Sequence, residues 1–260
     1  MATYLDRILL DHRRAAAADH RRLDRLVEQA AAAPPTRGLR AALAGATGLG
    51  VIAEVKRRSP SKGDLHPDLD PAALAADYEA GGATCLSVLT DRDFFGGSPE
   101  DLRAARGGCA LPVLRKDFTV AAADVCDARI MGADAVLLIA AALDDAELAD
   151  LHALAGELGL DALVEIHDEA ELERALAVEA TLVGVNQRDL VTFEVDTDRA
   201  VRLAPRMPAG IVRVAESGVR GPDDAARLAA AGYHAVLVGE SLVTHGDPAA
   251  GVAALRAAGR

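Results

Sequence analysis

Six residues of this 260-residue chain have types and positions suited to chemistry: Glu54, Lys56, Lys116, Glu165, Asn186 and Glu216. Each stands at or just past the end of a short apolar run. A carboxylate can take a proton, an ammonium can give one and an amide can hold a hydroxyl, so together they would make an acid–base site. The lysines are the most telling members, because of 28 Lys and Arg residues only Lys56, Lys62 and Lys116 are lysine. Arginine keeps its charge permanently on a planar fork, whereas a lysine ammonium shifts its pKa on burial and exchanges its proton. Lysine after VIAEV and LPVLR, in a chain otherwise reliant on arginine, points to a task that a guanidinium cannot do. The plain alternatives are chance, since three lysines must fall somewhere, and ion pairs such as Glu54–Lys116 or Glu165–Lys116 closing a structural gap. For the whole set the second fails: burying so many charges with no ligand costs too much.

The elements that must hold these residues repeat along the chain. Four times an Ala-rich, helix-like stretch ends in Gly and an apolar run follows, as in AGGATCLSVLT, MGADAVLLIA, ELGLDALVEI and AAGYHAVLVG. Gly past a helix end accepts the left-handed conformation of a C-cap, and an unbroken apolar run marks a strand buried on both faces. Eight strands are predicted: 51–55, 84–89, 112–114, 135–139, 162–166, 182–185, 211–215 and 235–238. Their spacing leaves room for one crossover helix each, which predicts an α/β fold, a (β/α)8 TIM barrel forming a single domain over 1–260. A doubly wound open sheet would need a glycine-rich turn after its first strand, and none is present. Leu5, Ile8 and Leu9, then Leu23, Leu26 and Val27, recur at helical spacing, so residues 1–48 read as a helical extension packed on the barrel, broken at Pro34-Pro35.

In such barrels the chemistry sits where strands end. Glu54 and Lys56 share one side of the first strand; Lys116 ends the third, Glu165 the fifth, Asn186 with Arg188 the sixth and Glu216-Ser217-Gly218 the seventh. Gly239-Glu240-Ser241 ends the eighth. The loops after strands seven and eight often bind phosphate through backbone N–H groups. Gly218, Gly239 and Ser241 suit that task, although Gly and Ser are also ordinary turn and cap residues. The loop Arg57-Arg58-Ser59-Pro60-Ser61-Lys62-Gly63, reaching to Pro71, is basic and hydroxyl-rich and suits a lid over an anion. Phe95, Phe118 and Leu137 or Leu138 could form an apolar wall near the same rim. Among the seven histidines, His167 alone follows a candidate base, and a loop hydrogen bond is its plainer role.

Composition closes off other classes. The net charge of −12, with no basic stripe, argues against nucleic acid and anionic membrane. No apolar run approaches the roughly 18 residues of a spanning helix, and the charged N-terminus lacks a secretory signal pattern. Cys85, Cys109 and Cys126 read as reduced thiols of a cytoplasmic protein.

The motifs IAEVKRRSPSKG, SVLTDRDFFGGS, LPVLRKDF, GADAVLLIAAAL, LVEIHDEAEL, GVNQRDL, VAESGV and VLVGESL occur in this order. Over about Leu5 to Leu255 the chain resembles the indole-3-glycerol-phosphate synthase family. That resemblance implies a carboxy-lyase of tryptophan biosynthesis, closing the ring of 1-(2-carboxyphenylamino)-1-deoxyribulose 5-phosphate with loss of carbon dioxide and water. It implies no cofactor and no metal, a small anionic substrate as the only ligand, and a monomer or weak homodimer. By resemblance Lys116 is the general acid and Glu165 the general base, with Glu54 orienting Lys56 and Lys116. Lys56 holds the substrate carboxylate and can deliver a proton in the dehydration. Asn186 and Glu216 bind hydroxyls, Arg188 buttresses the carboxylates, and Ser217 borders the rim. Ser59, Gly218, Gly239, Glu240 (by its backbone N–H) and Ser241 hold phosphate; Phe95, Phe118 and Leu137 face the aromatic ring. Gln187 replaces a commoner Asn and should point away from Asn186; AAADVCDARI replaces a stretch that often carries Tyr-Gln, without touching a proposed catalytic group. A sister barrel such as phosphoribosylanthranilate isomerase would need a Cys ending the first strand, and a non-catalytic phosphate-binding barrel would not keep the Lys/Glu/Asn set.

Overall fold

The computed structural model describes residues 3–60, 62–244 and 246–259. Ser61, part of the proposed lid, lies outside the described residues. Eight parallel strands close into a barrel: β1 Gly50–Val55, β2 Cys85–Leu89, β3 Val113–Lys116, β4 Ala135–Ile139, β5 Asp161–Ile166, β6 Leu182–Asn186, β7 Val212–Glu216 and β8 Ala235–Val238. Closure comes from β1 pairing with β8 in the register Gly50↔Ala235 to Ala53↔Val238. The strands start and stop within two residues of the sequence expectation. The difference that matters is at β3, which runs on through Arg115 and Lys116. Arg115 faces outward, where Thr90, Asp117 and the carbonyl of Asp124 take its guanidinium, so the ladder continues past the last apolar residue.

Period-two alternation divides each strand between two cores. Outward residues such as Val51, Ala53, Leu86, Val88, Val136 and Leu138 pack against the surrounding helices. Inward residues, among them Ile52, Leu114, Leu137, Leu163, Leu182, Val214 and Leu237, fill the barrel. Crossover helices begin where the sequence supplies a cap. Asp70 and Ser98 each accept a backbone N–H at the start of helices opened by Pro71 and Pro99, a residue already shaped for the first turn.

The N-terminal extension is three helices rather than one broken one: α1 Tyr4–Ala17, α2 Leu23–Ala31 and α3 Leu39–Ala44. Helix α3 plugs the barrel's N-terminal end, with Leu39 and Leu43 fully buried among the inward residues. It is docked by the backbone N–H groups of Arg37 and Arg40, which donate to Asp134 and Asp161 at 2.6 and 2.8 Å. Helix α1 crosses the opposite rim. There His12 meets Asp91 at 2.9 Å, the Arg13 guanidinium bonds Glu147 and the carbonyl of Ala142, and Tyr4 packs edge-on against Phe94 and Phe193.

Candidate active site

The inward positions change character at the C-terminal end of the strands. Glu54, Glu165, Asn186 and Glu216 are all buried polar groups there, and Lys56 and Lys116 reach in beside them. Lys116 is held between two carboxylates, 2.7 Å from Glu165 Oε2 and 3.1 Å from Glu216 Oε2. The other oxygen of Glu165 accepts from Asn186 Nδ2 at 3.0 Å. Lys56 pairs with Glu54, whose second oxygen lies 3.4 Å from the Ser87 hydroxyl. Glycine makes room for both arrangements. A Cβ at Gly184 on β6 would overlap Glu216 Oε1, and a Cβ at Gly239 would overlap the Glu54 carboxylate and crowd the Lys56 ammonium.

Burial opposes charge on Lys116, but the carboxylates of Glu165, Glu216 and Glu54 outweigh it and hold the ammonium well above the ordinary lysine range. Its two carboxylate partners diverge. Burial would raise Glu165, yet the charges of Lys116 and His167 and the bonds from Lys116 and Asn186 pull it down to about 2. Glu216 has no such surplus: burial, together with repulsion from Glu165, overcomes Lys116 and pushes it up to about 7. Consistent with this, Glu216 Oε1 is buried without a hydrogen-bond partner. Two carboxylates around one ammonium thus differ in their hold on a proton, Glu165 being kept ionised and Glu216 drawn toward its protonated form.

The sixteen residues to which the resemblance gives a role all line one cavity of about 590 Å³ at this rim. On one side Ser59, Gly218, Gly239, Glu240 and Ser241 converge. Ser217 and Gly218 both take positive φ, 64° and 74°, and the Ser217 carbonyl is held by Gln187 at 2.8 Å, so the turn after β7 is set by the residue that replaces the commoner Asn. On the other side the rings of Phe95 and Phe118 stand 6.3 Å apart above Leu137; Leu138 faces outward into the helix layer.

Three expectations need correction. Arg188 makes no ion pair among the described residues; its guanidinium donates to the carbonyl of Phe193, because the buried carboxylates are already taken by lysines. Glu54 forms an ion pair with Lys56 but not with Lys116, which turns toward β5 and β7. In the proposed lid, Arg57 and Arg58 do not line the cavity: Arg57 ties to the Asp101 carboxylate and the carbonyls of Pro67 and Leu69, Arg58 to the carbonyls of Asp93 and Phe94. Lys62, 3.7 Å from Glu240, is the basic residue of that loop which lines the cavity. The sequence reading missed Ile139 and Leu237, which inward alternation from Leu137 and Gly239 would have found. It also missed Asp91 and Asp117, which stand just past the ends of β2 and β3, and Phe193, for which no local signal exists.

The family model for indole-3-glycerol phosphate synthase matches residues 5–255. The chain belongs to the indole-3-glycerol phosphate synthase family. Members of that name from Nocardioides sp., Streptomyces griseus and Leptothrix cholodnii are 60%, 55% and 50% identical to it. The alignments cover 78%, 91% and 93% of this chain and 78%, 88% and 93% of theirs. A thiamine phosphate pyrophosphorylase from Pyrococcus furiosus superposes with a TM-score of 0.62 over 81% of this chain and 95% of its own, at 16% identity, a likeness of fold alone. Membership makes this chain a carboxy-lyase of tryptophan biosynthesis acting on a phosphorylated carboxylate.

Proposed function

We propose that Lys116 is the general acid and Glu165 the general base in the conversion of 1-(2-carboxyphenylamino)-1-deoxyribulose 5-phosphate to indole-3-glycerol phosphate. The supporting observation is the single ammonium clamped between two buried carboxylates inside the cavity. As the ring carbon attacks the ketose carbonyl, negative charge grows on oxygen and Lys116 protonates it. Giving up that proton removes the cation that holds Glu165 low, so burial raises its basicity. Donation by the acid therefore strengthens the base. The carboxylate leaves as neutral carbon dioxide, so one proton is taken up per turnover. Dehydration then needs a proton on the departing hydroxyl and removal of a ring hydrogen; Glu165 takes that hydrogen and returns it to Lys116.

Lys56, kept in place by Glu54, holds the substrate carboxylate and serves the dehydration, and Arg188, with no carboxylate of its own, assists with the anion. Asn186 and Glu216 bind hydroxyls, and Ser217 borders them. Ser59, Gly218, Gly239, Glu240 and Ser241 take the phosphate, the first N–H groups of the turn after β8 being free of helical acceptors. Phe95, Phe118 and Leu137 enclose the aromatic ring. We further infer one folding unit, cytoplasmic and monomeric or weakly dimeric. Free Cys85, Cys109 and Cys126 and the sparse exposed apolar side chains, Leu10, Leu23 and Val191 among the described residues, support this.

The test is formation of indole-3-glycerol phosphate by the Lys116→Arg protein. Arginine keeps the charge but cannot release a proton, so kcat is expected to fall by about 100- to 10,000-fold with the fold intact. Near-normal turnover would remove Lys116 from the acid's role.

A further inference from the structure

His167 stands one residue beyond β5, nearly buried, and the chemistry above does not use it. Its backbone N–H and its Nδ1 both meet Glu171 Oε2, at 2.7 and 3.0 Å. A carboxylate only accepts, so Nδ1 carries a hydrogen and the tautomer is fixed. The other nitrogen, Nε2, is buried without a hydrogen-bond partner and lies 3.9 Å from Glu165 Oε1, the oxygen that Lys116 does not contact. A neutral ring would therefore point a lone pair at a carboxylate oxygen, whereas a protonated ring points an N–H at it. Only the second is electrostatically favourable.

We propose that His167 is a positioning residue for the base: an imidazolium, oriented by Glu171, that decides which of the two carboxylates around Lys116 stays charged. The proposal rests on the reading of Glu165 as the base. Glu165 and Glu216 touch the same ammonium, yet Glu165 has Asn186 and His167 on its far oxygen, while Glu216 has an orphaned one. When Lys116 gives its proton to the substrate, the two carboxylates compete for the next proton, and the Asn186 bond already favours charge on Glu165. A cation beside the same oxygen widens that preference, leaving Glu165 free to abstract hydrogen. The groups facing His167 are Glu171 from the following helix, Glu165 from β5 and Arg199 from the helix after β6. Burial and Arg199 disfavour its charge, and the two carboxylates win, so the ring is held above the ordinary histidine range.

Two measurements test this. The first is kcat and KM of His167→Gln against the unsubstituted enzyme from pH 5.5 to 8.5, compared as a ratio so that titrations common to both cancel. The variant's relative kcat is expected to fall at least fivefold between pH 8.5 and 5.5, where no cation keeps Glu165 ionised once Lys116 has given up its proton, with KM within twofold throughout. A uniform loss at every pH, or a loss confined to KM, would overturn the proposal in favour of a packing role. The second follows the His167 imidazole by NMR in the ligand-free enzyme and in Glu165→Gln, and does not depend on the first variant folding. Removing the carboxylate's charge should lower the ring's titration midpoint by at least one pH unit, and an unmoved midpoint refutes the coupling. Turnover of Glu165→Gln separates the two claims: near-normal activity sinks the base assignment, while the NMR shift still decides the electrostatic link.

Discussion

The two ends of the barrel interior lie on the same eight strands, a few residues apart, and are built from opposite materials. Toward the N-terminal end Ile52, Cys85, Leu114, Ala135, Leu163, Leu182 and Val212 meet the plug of Leu39 and Leu43, with no charged side chain among them. Two residues further along the inward alternation stand Glu54, Ser87, Lys116 and Glu165 and, across the ring, four residues beyond Leu182 and Val212, Asn186 and Glu216. The first layer contributes stability by removing apolar surface from water; the second carries desolvated charge that stabilises nothing until it meets a substrate. The contrast shows how a barrel sets an apolar layer and a charged one apart along a single axis, with Leu137, Ile139 and Leu237 reaching from the apolar interior to the cavity.

That separation can be broken from either side. Leu43→Ala opens a void in the plug and should cost about 3 kcal/mol of unfolding free energy in chemical denaturation. Because the plug lies at the far end from the lysines, kcat at 25 °C should stay within twofold. A large loss of turnover in a still-folded protein would mean that the two layers are coupled. At the charged end Gly184→Ala puts a methyl group where Glu216 Oε1 now lies, 3.2 Å from Leu163 Cδ1 as well. Glu216 must move away from Lys116, and turnover is expected to fall about 100-fold, the scale for displacing a working group by an ångström. If kcat survives, the place of Glu216 beside Lys116 is unimportant.

The strands and the composition of the rim were legible because both follow from local rules. A strand buried on both faces leaves an unbroken apolar run, and period-two alternation says which polar residues at its end face inward. What the sequence did not contain was the pairing. Lys116 joins Glu165 and Glu216, 49 and 100 residues away, only because closing the barrel brings β3, β5 and β7 around one axis. Glu54 was free, on sequence grounds, to serve either lysine. The same holds for the arginines: Arg57, Arg58 and Arg188 read as anion-seeking cations, but Asp101 and the carbonyls of neighbouring loops absorb the donors of Arg57, and carbonyls alone those of Arg58 and Arg188; a backbone acceptor leaves no mark in a sequence. Helix α1 was recognisable by its period, yet its reach across the rim depends on tertiary contacts from His12, Arg13 and Tyr4.

The extension touches both layers, with α3 in the apolar end and α1 over the charged one, and the smallest expected effect tests whether its upper contact differs in kind. Burial disfavours charge on His12, but the hydrogen bond to Asp91 and the charges of Asp117, Asp91 and Asp124 prevail and raise its pKa. A histidine raised on folding contributes stability that is complete below the unfolded value of about 6.5 and disappears as pH climbs through the folded value. The side chain is partly exposed, so solvent screening keeps the contribution under about 1 kcal/mol. His12→Gln should therefore be less stable than the unsubstituted protein in urea at pH 5.5, and the gap should narrow by pH 9. The plug, held by apolar burial, predicts no such trend, and the deficit of Leu43→Ala should be the same at both pH values. A His12 deficit that stayed constant or grew with pH would mean that α1 is held over the rim by packing, as α3 is below.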